Sequence, residues 1–199
     1  MDRKNLSNQN NVSTVNKKLE KGDYGYLKKG KLIQLFLAFV LLIMVACIFY
    51  TGYIKYHNTK NIFTVFAAVS AIPMSKFLVG YIVMAPYEML EEQLYNEIKG
   101  YENILFAYDL LVSSTEKIIN VKIAAVRDNS IFMYVPDKKY KKDVVEKYVR
   151  SFLEKECRVT TVRMISNFKE YRKAIGVLDK NEKGNYDEKI RHIMITFSI

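Results

Sequence analysis

The chain has 199 residues, of which 50% are hydrophobic and 26% charged, so it is neither a disordered tail nor a fibrous repeat. Its two cysteines exclude a disulfide framework and a four-thiolate zinc site. The formal net charge is +10, and residues 1–31 contribute eight basic and only three acidic side chains. Because these basic groups precede an apolar segment instead of covering a folded domain, we expect contacts with anionic lipid and no nucleic-acid binding.

Two apolar segments follow the basic residues, and each is long enough to cross a bilayer. Residues 32–54 contain no charged side chain, and residues 62–84 form a second apolar stretch of similar length. About 20 apolar residues in a helix cross the hydrocarbon core, so the sequence predicts two transmembrane helices over these ranges. The short link between them makes the pair an antiparallel hairpin. The alternatives are a buried helix of a soluble protein and a lipoprotein signal around Cys47, which the long basic leader disfavours.

The distribution of charge predicts the orientation of this hairpin. Residues 1–31 are expected to form a basic, flexible tail in the cytoplasm, because loops rich in lysine and arginine stay on that side. Two crossings return the chain to the same side, so residues 85–199 should also be cytoplasmic. The sequence thus predicts a bacterial inner-membrane protein with the lipid bilayer as its first partner and both termini in the cytoplasm.

Lys76 is the only charged residue within the second span and is therefore its candidate functional residue. Pro73 lacks a backbone N–H, so we expect a kinked helix and a free carbonyl at Val69. That carbonyl and the hydroxyl of Ser70 are candidate partners for Lys76. Three roles stay open for the lysine: snorkelling to the headgroups, contact with a partner helix, and transport.

A stripe of small side chains in the second span predicts close helix packing. Ala67, Ala71 and Ser75 repeat at four-residue spacing, which places them on one face of a helix. We expect this face to contact another transmembrane helix.

Residues 85–199 predict one α/β (α+β) cytoplasmic domain, a sheet with helices packed against it. Asp128 and Asn129 favour a tight hairpin turn, and Asn167 with Glu170 has the spacing of a helix-capping box. The predicted order is α-β-β-β-α-β-α-β. The elements are a helix at 87–99, strands at 104–113 (a central strand), 118–127 and 130–135, a helix at 137–156, a strand at 158–165, a helix at 168–175, a polar loop at 177–189 and a strand at 190–199.

The sequence shows no catalytic, cofactor-binding or metal-binding motif. Asp109 and Lys122 occupy positions similar to the Asp and the Glu-x-Lys of restriction-endonuclease-like cores, but Asn120 replaces the glutamate that a hard cation requires. Cys157 and His192 are the one candidate pair of nucleophile and base, but the sequence favours an ordinary thiol at a helix end and a histidine in a strand. We expect no cofactor and no metal, and the sequence favours a non-enzymatic role without deciding it.

Three stretches carry a resemblance to a known family: NIFTVFAAVSAIPMSKFLVGYIVM, FAYDLLVSSTEKIINVKIAAV and IRHIMITFSI. Together they resemble a family of small, uncharacterised bacterial two-helix membrane proteins often labelled "O-linked GlcNAc transferase-like". The resemblance spans residues 30–199 and implies the same hairpin-and-domain architecture. The family label implies sugar transfer, for which the sequence shows neither helical repeats of about 34 residues nor a nucleotide-sugar site.

These observations predict a two-pass membrane protein whose cytoplasmic domain binds a protein partner or self-associates. Two alternatives stay open. One is a membrane-associated, transferase-like enzyme, and the other is an accessory subunit of a membrane complex built around Lys76.

Overall fold

The computed structural model describes residues 19–114, 117–137 and 139–199. In these residues two long helices precede a four-stranded sheet and four shorter helices. The helices are α1 (Tyr26–Tyr56), α2 (Ile62–Met84), α3 (Glu92–Ile98), α4 (Lys142–Leu153), α5 (Phe168–Leu178) and α6 (Asp187–Thr196). The strands are β1 (Leu105–Ser113), β2 (Ile118–Arg127), β3 (Ser130–Tyr134) and β4 (Thr161–Ile165).

Helices α1 and α2 form an antiparallel hairpin, and both are long and apolar enough to cross a membrane. Only 6% of the most apolar window of each helix is buried. The core helix of a soluble protein would be mostly buried, so the structure disfavours that alternative. The predicted pair of long apolar helices is confirmed.

Two glycines fix the register of the hairpin. Gly80 of α2 lies so close to Gln34 of α1 that a Cβ atom would be 2.6 Å from the amide oxygen. At the other end, a Cβ atom on Gly52 would overlap the side chain of Phe63. Buried and half-buried positions on both helices recur at alternating spacings of three and four residues, the period of left-handed helix pairs. They include Gln34, Ala38, Leu41, Val45, Ile48 and Gly52 on α1, and Phe63, Ala67, Ser70, Met74, Phe77, Tyr81 and Met84 on α2.

The sheet has the strand order β1-β2-β3-β4, with β1, β2 and β3 antiparallel and β4 parallel to β3. The predicted hairpin between β2 and β3 is confirmed. Asp128 and Asn129 form its two-residue turn with φ angles of 54° and 51°. Both residue types tolerate this left-handed conformation, which matches the twist of the flanking strands.

Helices pack against the sheet, as the sequence predicts, and the structure shows that they cover both of its faces. Helices α4 and α6 pack on one face, and α3 and α5 pack on the other. The first face buries Val149, Leu153, Ile190 and Met194 among others. The second buries Ile98, Tyr171 and Ile175.

The predicted strand at residues 190–199 is wrong, because most of this segment forms helix α6. Ile190, Ile193 and Met194 are buried on the sheet, and this spacing of three and four residues is helical. The alternation of Ile193, Ile195, Phe197 and Ile199 suggests a strand, but these residues are not all buried on one face, since Phe197 and Ile199 are exposed. Only Ser198 pairs with a strand, through an isolated bridge to Val112.

Several element boundaries also differ from the sequence prediction. Strand β4 begins at Thr161 in place of residue 158, and α6 begins within the predicted polar loop at 177–189. The helix predicted at 87–99 begins only at Glu92, and the helix predicted from Asp137 begins at Lys142. The carboxylate of Asp137 accepts the backbone N–H of Lys139 at 3.1 Å, which closes a local turn in place of a helical one. Helix α5 extends past the predicted end to Leu178, and Asn167 caps its N-terminus as expected.

Strand β1 lies at an edge of the sheet, not at the centre as its apolar composition suggests. It is apolar because its outer edge is covered as well as its faces. Residues 19–25 lie beside it, residues 197–199 cover its end, and α6 contributes an arginine. The covering hydrogen bonds run from Tyr108 N–H to the Gly22 carbonyl at 2.8 Å, from Ile199 N–H to the Leu111 carbonyl at 2.8 Å, and from Arg191 Nε–H to the Phe106 carbonyl at 2.7 Å. Coverage of this kind prevents edge-to-edge aggregation.

Asp187 connects α6 to the β2–β3 turn, and we expect its loss to destabilise the domain. Its carboxylate is 1% exposed and accepts N–H groups from Asn129 at 2.7 Å, Gly184 at 2.8 Å and Asp128 at 3.2 Å. Asp187→Ala should lower the thermal midpoint of the detergent-solubilised chain by about 10 °C, since three partly buried donors lose a buried acceptor. The matched control is Glu188→Ala, which removes an exposed ion pair and should change the midpoint by less than about 2 °C. Equal effects of the two substitutions would contradict this assignment.

Candidate functional site: the connector between the hairpin and the sheet

The candidate site is the connector, residues 85–91, which joins α2 to α3. It lies against the sheet face that also packs α3 and α5. Leu90 is 1% exposed, so the connector is partly buried in the domain. Buried backbone N–H and carbonyl groups need partners. Because the connector is not helical, side chains from β1, β2 and α1 supply those partners.

Lys122 of β2 binds two connector carbonyls. Its ammonium donates to the carbonyl of Glu88 at 2.7 Å and to that of Met89 at 2.8 Å. Asn120 donates its side-chain N–H to the Glu88 carbonyl at 3.2 Å. Burial lowers the pKa of Lys122, and the charge of Asp109 opposes this change. Charged donors make stronger hydrogen bonds than neutral ones, so Lys122 holds the middle of the connector against β2.

Asp109 of β1 holds the next residue. Its Oδ1 accepts the backbone N–H of Leu90 at 2.6 Å, and its side chain is 6% exposed. The residue has a φ of 51°, which is rare for a non-glycine residue inside a strand. Burial raises the pKa of Asp109, although the Leu90 N–H and the Lys122 ammonium act in the opposite direction.

The left-handed backbone at Asp109 changes which side of the sheet the following residues face. Before it, Tyr108 packs in the cluster that contains α3 and α5. After it, Leu110 packs in the cluster on the opposite face, and Leu111 joins a third cluster. Strict alternation would place Leu110 beside Tyr108. The change therefore directs Asp109 toward the connector and Leu111 toward the hairpin.

The hairpin contacts the sheet through a small apolar cluster and one lysine. Leu27 of α1, Met84 of α2 and Leu111 of β1 are buried together. Lys31 of α1 donates to the carbonyl of Ala85 at 3.2 Å and to that of Tyr87. Helix α1 therefore binds the connector at the point where α2 ends.

Residues 19–31 do not behave as the predicted flexible tail. Tyr24 stacks on Tyr95 of α3 with ring centroids 4.1 Å apart, and the carbonyl of Gly22 pairs with β1. The side chain of Lys21 donates to the carbonyl of Ser198. The segment before α1 is thus part of the domain surface, whereas the remainder of the predicted tail, residues 1–18, lies outside the described residues.

The nuclease-like positions have a structural role in this fold. Asp109, Asn120 and Lys122 do come together, as strand pairing predicts, but their polar atoms bind the backbone of the connector. In the described part of the chain no group of three His, Cys, Asp or Glu side chains is arranged to hold a metal ion. The arrangement holds a chain segment in place, because one polar atom of each side chain is bound to the connector backbone. Asp109 Oδ2 and Asn120 Oδ1 are buried beside it and have no hydrogen-bond partner within the described residues.

The residues predicted to pack the second span lie at different positions around α2. Ala67 is buried against α1, while Ala71 is half-buried at the margin of the interface. Ser75 is exposed, and its hydroxyl donates to the carbonyl of Ala71 at 2.9 Å. A four-residue spacing drifts around the helix, whereas the interface follows the 3.5-residue period, so only the first part of the stripe reaches α1.

The predicted intramembrane group around Lys76 is spread over two sides of α2. Ser70 is half-buried toward α1, and Lys76 is exposed. Six residues of helix separate them by about 120° around the axis, so the two side chains point in different directions. Pro73 is exposed within a helix that continues on both sides of it. Because Gly80 faces Gln34, Lys76 lies one turn further along, level with Ala38.

Cys157 and His192 belong to different elements. The thiol of Cys157 donates to the carbonyl of Leu153 at the end of α4, at 3.3 Å. Burial raises the pKa of this thiol, which favours its unreactive protonated form. His192 is exposed on α6, not in the predicted strand.

No protein-family model, curated protein or solved structure matches this chain. The resemblance to the two-helix membrane family therefore stays a prediction.

Sequence reasoning missed the role of Lys31 and the function of Asp109 as an anchor for the connector. The sequence does contain a sign of this role. Asp109 and Lys122 are charged residues within the apolar strands β1 and β2, and these two strands pair with each other. Charged residues in such positions need partners, and a backbone segment is as good a partner as a ligand.

We expect the hydrogen bond from Leu90 to Asp109 to protect the connector from solvent exchange. Asp109→Gly tolerates the left-handed backbone but removes the acceptor, and should speed deuterium exchange at the Leu90 amide by about tenfold or more. Asp109→Asn tolerates the same backbone and keeps an oxygen acceptor, so exchange should stay near that of the unmodified chain. Residue-resolved exchange on the full chain in detergent measures both. Unchanged exchange in Asp109→Gly would show that another group holds the connector.

The raised pKa of Asp109 also predicts a pH dependence of stability. The folded chain takes up a proton at this group at a higher pH than the unfolded chain, whose carboxyl has the ordinary value of 3.8. The group's contribution to stability is therefore full below pH 3.8, where both states are protonated, and is lost as the pH rises through the raised pKa. Asp109→Asn mimics the protonated form at every pH. The thermal midpoint of the unmodified chain should rise relative to that of Asp109→Asn as the pH is lowered from neutral, and parallel pH profiles would contradict the assignment.

Proposed function

We propose that this chain is a two-pass membrane protein that holds its α/β domain at the cytoplasmic surface of the cell membrane as a protein-interaction module. The observation that carries the proposal is the connector: charged side chains of α1, β1 and β2 fix it to both the hairpin and the sheet. A domain on a flexible tether would need no such contacts.

The helices and their flanking charges support the membrane arrangement. Helix α1 has an uncharged run over residues 32–54, and its side chains are largely exposed, as lipid-facing residues would be. Lys28 and Lys29 are exposed in its first turn, on the side where the domain lies. Basic residues at this end favour its retention in the cytoplasm.

The position of Lys76 supports snorkelling. The lysine lies level with Ala38, seven residues beyond Lys31, or about 10 Å along the helix axis. Lys31 contacts the connector, so it marks the cytoplasmic end of the hairpin. The four-carbon stem of Lys76 spans part of that distance, and a modest tilt of the hairpin supplies the remainder.

A groove between α3 and α5 supports a protein partner. It encloses about 700 Å³ between Tyr101 and Phe168, and none of its lining residues belongs to the cluster in which Leu111 contacts the hairpin. An ion pair of 2.8 Å between Arg172 and Glu97 crosses its rim. The other charged residues on the rim are Lys169 and Lys173. An apolar floor with a mainly basic rim fits a partner segment that carries acidic and aromatic side chains.

Site-specific photocrosslinking in native membranes tests this function. A photoreactive phenylalanine analogue at Tyr101 should give one discrete adduct, which a charge-reversed Arg172→Glu/Lys173→Glu chain loses because the basic rim is gone. The analogue at exposed Tyr186, on the loop that precedes α6, is the matched control and should give no adduct. An adduct of twice the mass of the chain would identify self-association.

The same experiment separates the accessory-subunit alternative. If Lys76 only snorkels, Lys76→Leu leaves the Tyr101 adduct unchanged. Loss of the adduct in Lys76→Leu but not in the neighbouring Val79→Leu would assign the partner to the membrane span instead. Equal adducts at Tyr101 and Tyr186, or none at Tyr101, would contradict an interaction module at this groove.

A further inference from the structure

The end of the sheet that carries the β1–β2 turn faces the hairpin. Leu111, near the end of β1, is buried with Leu27 and Met84, and Ile118 at the start of β2 packs against the same cluster. In the proposed membrane arrangement this end of the domain therefore lies nearest the headgroups.

A basic cavity of about 330 Å³ lies at this end of the sheet. Three lysines line it: Lys117, Lys139 and Lys141. Asp137 pairs with Lys139 at 2.7 Å. Lys117 and Lys141 are exposed and form no ion pair within the described ranges. The cavity thus holds an excess of positive charge that the described side chains do not neutralise.

One exposed apolar side chain lines this cavity, and two more lie outside it, close to the end of β1. Val144, which lines it, is 58% exposed. Phe197 is 48% exposed and stacks on Phe152 with centroids 4.8 Å apart. Ile199 is 40% exposed, and its N–H pairs with Leu111. A surface that combines lysines with protruding apolar groups is typical of proteins that lie in the interfacial layer of a membrane.

We propose that this cavity binds the phosphate of an anionic phospholipid in the leaflet that the hairpin enters. Lys117 and Lys141 supply the positive charge, and Val144 and Phe197 contact the upper part of the acyl chains. The inference rests on the proposed membrane location of the chain. A zwitterionic headgroup carries its own cation beside the phosphate, so the lysines select a lipid with net negative charge.

Photolabelling of the full chain in nanodiscs tests the proposal. The discs contain phosphatidylcholine with a minor fraction of phosphatidylglycerol, and one of the two lipids carries a diazirine near its headgroup. Labelled phosphatidylglycerol should modify peptides within 114–145 about fivefold or more above labelled phosphatidylcholine. Lys117→Gln/Lys141→Gln should abolish this preference. Lys155→Gln/Lys180→Gln, which removes the same charge from exposed lysines outside the cavity, should retain it.

Three results would overturn the proposal. Equal labelling by the two lipids, or a preference that survives in Lys117→Gln/Lys141→Gln, would show that the cavity does not select the anionic headgroup. Loss of the labelling in millimolar inorganic phosphate, at a constant disc concentration, would assign the cavity to a soluble anion.

A separate measurement distinguishes this proposal from the proposed topology. In a Cys47→Ser background, Asn58→Cys in the link should react with an impermeant maleimide in intact cells, and Asn185→Cys in the domain only after lysis. The opposite pattern would contradict the cytoplasmic placement. The nanodisc result would be unaffected, because both leaflets of a disc are accessible.

Discussion

The structure depends on how the backbone passes from an apolar helix into a folded domain. Ala85 and Glu91 make the last and first helical hydrogen bonds of the flanking helices, and the chain between them has no α-helical hydrogen bonds to satisfy its polar groups. It nevertheless packs against the sheet. Lys31, Asp109 and Lys122 resolve this conflict by binding backbone carbonyls and one N–H directly. Burying charges is costly, and it is tolerated here because each charge has a backbone partner at short distance.

The left-handed residue in β1 connects this junction to the remainder of the fold. Asp109 turns its own side chain toward the connector, and the change of face that follows directs Leu111 to the hairpin. The same strand is closed on its outer side by Gly22 and Ile199. One strand therefore organises three contacts: with the hairpin, with the segment before α1 and with the segment after α6.

The sequence predicted the features that depend on local patterns. The apolar runs gave the two long helices, and Asp128–Asn129 gave the turn, because each is determined by residues close in the chain. The segment 190–199 was misassigned, since alternating isoleucines fit a strand and a helix equally until the buried face is known. The sequence predicts the side chains of the candidate site but not the segment that they bind. Strand pairing brings Asp109 and Lys122 together, but their ligand is a segment that the sequence predicts as helix.

In the proposed membrane arrangement, the hairpin and the domain move together as one rigid body, because both transmembrane helices are attached to the sheet. Lys31 and Leu27 attach α1 to the connector and the sheet, and the connector attaches α2. Because both helices are attached, the domain does not rotate freely about a single linking segment. A change in bilayer thickness that alters the tilt of the hairpin by about 10° would rotate the domain by the same angle. A point about 30 Å from the pivot, on the far side of a domain of this size, would then move by about 5 Å relative to the membrane plane. The thickness of the bilayer would thereby set the height at which the groove between α3 and α5 is presented to the cytoplasm.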